Sequence, residues 1–139
     1  MSADMHIHVM VGVTEEDLRC FNAHTLTSKY FSMDRRACGT DYDCRHWQAI
    51  INSPQIWVGS VSWLKAMMLE ATETYVPAVV GVISELIGEK EPVIDDDLIA
   101  KVREAFASTN DTSYSIADVD DVVAFLEVYR GKKAFTVSW

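Results

Sequence analysis

The sequence predicts an α+β fold: a single domain with a small sheet of about three strands packed with about five helices. Short stretches near both chain ends alternate apolar and polar residues, as half-buried strands do. Several stretches between them repeat apolar residues at helical spacing, and acidic or hydroxyl residues open them. The length of 139 residues, 49% hydrophobic and 24% charged, suits one average domain with a core of its own. That length excludes a (β/α)8 barrel, which needs roughly 200 residues or more.

In Met5–Val11, residues Ile7, Val9 and Val11 fall on one face, and His6, His8 and Met10 on the other, which predicts a strand. Thr14-Glu-Glu-Asp17 has the form of a capping box and predicts a short helix over 14–23, with Leu18 and Phe21 placed for burial. Residues 25–45 show no clean periodicity, and a second short helix over His46–Asn52 stops before Ser53-Pro54. Gln55–Val61 reads as the next strand, passing into a helix near Ser62–Leu69. Thr74-Tyr-Val-Pro77 restarts a helix with proline in its first turn and Gly88 at its end. Asp95-Asp-Asp97 opens another, with Leu98, Val102, Ala105 and Phe106 on one face. Ser115-Ile-Ala-Asp118 opens the last helix, and Phe135, Val137 and Trp139 alternate in a closing strand.

The formal net charge is −9, unevenly placed. Residues 1–70 carry 6 basic and 8 acidic side chains, whereas residues 71–139 carry 6 and 13. Within the one domain, residues 1–46 thus form a histidine- and cysteine-bearing part and residues 89–127 an acidic helical part. Nucleic-acid binders carry a basic face that displaces counterions from phosphate, so direct nucleic-acid binding is disfavoured. Anionic membrane surfaces are disfavoured on the same ground. The N-terminus has no basic segment followed by a long apolar run, and Val76–Ile83 is far shorter than the roughly 18–20 residues of a membrane span. A cytoplasmic location is therefore expected, in the host cytoplasm for a viral protein. An odd count of 3 cysteines then points to reduced thiols.

All 4 histidines and all 3 cysteines precede residue 47, which raises the question of zinc or another divalent metal. Asp4-Met-His6-Ile-His8 resembles the D-x-H-x-H opening of the amidohydrolases and related metal-dependent hydrolases. That resemblance implies Asp4, His6 and His8 as ligands of an ion that activates water. The structural alternative puts His6 and His8 on the solvent-facing or half-buried face of an edge strand. A second candidate set is Cys20 and His24, one helical turn apart, with Cys38, Cys44 and His46. A zinc there would order the long segment between them. Cys38, beside Arg35-Arg36, is also placed for a lowered thiol pKa. No P-loop, G-x-G-x-x-G, G-x-S-x-G or H-E-x-x-H motif occurs, so no catalytic residue is assigned.

The binding candidates are Trp57 and Trp63, which flank a short Val/Gly/Ser stretch, and Asp96, Asp97, Asp120 and Asp121 in the expected first turns of two helices. Tryptophan is enriched in interfaces but is ordinary core material as well. First-turn acids favour the helix dipole, and they also offer a negative surface to a basic protein. Small acidic domains without catalytic motifs resemble phage-encoded inhibitors of host nucleic-acid enzymes, anti-CRISPR proteins among them. The favoured expectation is a non-enzymatic, acidic protein-binding module, an inhibitor or nucleic-acid mimic that docks on a basic partner. The alternative is a small metal-dependent hydrolase or zinc-stabilised domain.

Overall fold

The computed structural model describes residues 2–21, 45–62, 78–88, 90–108 and 116–138. In chain order the elements are β1 (Ser2–Val9), α1 (Glu15–Phe21), α2 (Arg45–Asn52), β2 (Gln55–Ser62), α3 (Ala78–Ile87), α4 (Asp96–Ala107), α5 (Val119–Val128) and β3 (Ala134–Ser138). The strands form one antiparallel sheet in the order β2-β1-β3, so the fold is α+β as expected. Of the helix expected near Ser62–Leu69, Ser62 instead ends β2 and the rest lies outside the described residues, as does the long stretch over 25–44. No helix among the described residues is long and apolar enough to cross a membrane.

Local chemistry starts α1, α4 and α5. Thr14 and Asp17 exchange bonds reciprocally at α1: the Thr14 amide donates to Asp17 Oδ2 at 2.7 Å, and the Asp17 amide donates to Thr14 Oγ1 at 3.2 Å. Asp95 caps α4 by accepting from the Leu98 amide at 2.8 Å. The last helix begins later than the Ser115-x-x-Asp118 pattern suggests: Asp118 is itself the cap, accepting from the Asp120 amide at 2.9 Å. Gly131 adopts φ 91° in the turn from α5 to β3, and its amide donates to the Ile94 carbonyl at 2.8 Å. A side chain at that φ is strained, which is why glycine fits there.

The sheet is covered on both faces. Met5, Ile7 and Val9, with Val58 and Ala134, pack against α3, α4 and α5 through residues such as Ile83, Val102 and Leu126. On the opposite face Phe135 and Val137 pack with Leu18 of α1 and Ile50 of α2. Both faces of β1 are therefore largely interior, and an alternating pattern alone cannot distinguish this from a sheet that is wet on one side. Val11, expected to continue the apolar face, lies past the strand end and is exposed.

Two short bridges flank the sheet. Ile116 pairs with Gly59 outside β2, and the Ala117 amide donates to the Val58 carbonyl at 2.7 Å. Val93 pairs with Lys133 outside β3, and the Ala134 amide donates to the Pro92 carbonyl at 2.9 Å. Each bridge residue stands two positions before a helix cap, Asp118 and Asp95 respectively.

Candidate functional site

Asp4, His6 and His8 alternate along β1 and share the α1–α2 side of the sheet. Their cross-strand neighbours are Ser60, Trp57 and Gln55 on β2, with Val137 and Phe135 beside the two histidines on β3. The edge-strand placement expected for His6 and His8 does not hold, because β1 is the central strand. Its apolar face and two paired neighbours make it the middle of the sheet, with Asp4 and His6 half-buried and His8 buried.

His8 is fully buried. Its Nδ1 lies 2.7 Å from Ser53 Oγ, and that hydroxyl donates onward to the Ile50 carbonyl at 2.6 Å. A serine hydroxyl has one hydrogen, already directed at Ile50, so Nδ1 carries a proton and donates it to Ser53. The ring stacks on Phe135 at a centroid distance of 5.2 Å and an interplanar angle of 30°. Burial chiefly, and then repulsion from His6, pushes the His8 pKa down to about 3, while the Ile50 carbonyl acts the other way. At neutral pH His8 is an uncharged tether between the sheet and the end of α2.

His6 meets His8 edge-on, with centroids 6.2 Å apart. Burial lowers its pKa, and the Asp4 carboxylate partly offsets that. Asp4 itself is held by β2: Ser60 Oγ donates to its Oδ1 at 2.7 Å and Trp57 Nε1 donates to the same oxygen at 3.2 Å. A bulge lies between these partners, since Met5 opposes Gly59 while His6 opposes Trp57. One carboxylate oxygen thus spans the irregularity and pins the register on either side. Trp57 is half-buried, its indole N–H spent on Asp4. Among the described residues no group of three His, Cys, Asp or Glu side chains is arranged to hold a metal ion. The row comes together in space, with Asp4 Oδ1 bonded to β2 and His8 Nδ1 bonded to Ser53 beyond α2.

The second candidate set is not brought into view. Cys20 lies in α1 and His46 in α2, their side chains outside the described set; His24, Cys38 and Cys44 lie wholly outside it, as does Trp63.

The acidic candidates are exposed at helix starts, but they form two groups and not one face. Arg130, just past the end of α5, pairs with Asp96 at the start of α4, and the Gly131–Ile94 bond joins the same ends. The two helices therefore run in opposite directions. Asp120 and Asp121 stand at the far end, about 18 Å away for a helix of 12 residues. Charge balance differs between the groups. Asp97 pairs with Lys101 one turn on at 3.0 Å, and Asp96 pairs with Arg130. Asp120 and Asp121 have no cationic partner among the described residues. Sequence reading located the acids but not this asymmetry; Arg130, the first basic side chain beyond α5's end, was the available signal.

No protein-family model matches the chain, and neither a curated protein nor a solved structure is significantly similar to it.

Proposed function

We propose that this protein is a non-enzymatic binding module that docks on a basic protein surface through the N-terminal end of α5. The observation that carries this reading is the pair Asp120 and Asp121, which no cation matches among the described residues, exposed beside the exposed cap Asp118. A helix N-terminus contributes roughly half a positive charge, which these carboxylates outweigh. The other acidic end is locally balanced by Arg130 and Lys101 and offers a basic partner less. Imitation of nucleic-acid phosphates, in the manner of phage-type inhibitors, is the finer form of the proposal. On that form the partner's surface is one built for phosphate, and duplex DNA competes with this protein for it.

The test compares Asp120→Asn/Asp121→Asn with Asp96→Asn/Asp97→Asn, two variants of equal net charge. Association with immobilised poly-L-lysine is measured across a salt series. Docking at the α5 end predicts that the first variant associates more slowly, by about tenfold at low salt, the low end of electrostatic steering. The second variant should lose clearly less. Equal losses would assign the effect to net charge alone and overturn a local docking site.

A further inference from the structure

We draw no further inference here: the strongest candidate, the Asp4–His6–His8 row on the α1–α2 side of the central strand, belongs to the site already described, where Asp4 is held by Trp57 and Ser60, His8 is held by Ser53, and no three ligating side chains converge among the described residues.

Discussion

Acid should loosen this protein through one buried imidazole. The His8 pKa falls from 6.5 to about 3 on folding, so the unfolded chain binds a proton over that interval that the native state refuses. Stability contributed by His8 is therefore full above pH 6.5 and is lost as pH falls toward about 3. Linkage with those two pKa values gives a loss of about 2 kcal/mol between pH 7 and pH 5. With a urea dependence of about 1–3 kcal/mol per molar, the unfolding midpoint shifts by about 1 M. The assay is urea unfolding of the wild type and His8→Asn at both pH values. Asparagine does not titrate and keeps a polar atom near the place of Nδ1. The variant is weaker at both values because it loses the ring stacked on Phe135. Carboxylates titrate alike in both proteins, so the difference between the two pH dependences isolates His8. If both proteins lose the same stability on acidification, the buried neutral imidazole is wrong.

Other expectations follow from the same geometry. Phe135→Ala removes a fully buried ring between β3 and the α1–α2 layer and should cost about 3–5 kcal/mol in chemical denaturation. Asp118→Ala should cost about 0.5–2 kcal/mol by removing the bond to the Asp120 amide, and Asp118→Ser should restore most of it. Gly131→Ala meets open space but an unfavourable φ of 91°, so it should destabilise by about 1–3 kcal/mol through the backbone alone. His6→Ala should leave the metal content of untagged protein unchanged by elemental analysis. A fall in bound metal on that substitution would instead support Asp4, His6 and His8 as ligands.

What the sequence made legible was local. The capping box at Thr14 and Asp17 and the cap at Asp95 each involve residues 3 apart, and their chemistry is visible in a short window. Asp4 is the contrary case. Its partners Trp57 and Ser60 stand 53 and 56 positions away, across a bulge that no composition signals. The burial of His8 was hidden for a related reason. Alternation shows that it points away from Ile7 and Val9, but only α1 and α2 packing on that face put it in the interior. The acids were found and their pairing was not. Asp96 meets Arg130 because two helices run in opposite directions, a property of the connection and not of either helix.

The two single-residue bridges bear on how this chain behaves at high concentration. A three-stranded sheet has two margins, each an exposed row of donors and acceptors onto which another molecule's strand can be laid. Here Ile116 occupies one margin and Val93 the other, and a helix cap bearing carboxylates follows each within two residues. At Gly59 and at Lys133 the outward backbone is already paired, and carboxylates stand close by. The guard is thin, because each segment is also the root of a helix. Fraying of α4 or α5 at its first turn pulls the bridge away and bares the margin in the same event. Each bridge is thereby tied to helix capping, and substitutions that weaken Asp95 or Asp118 should loosen the bridge and the helix start together.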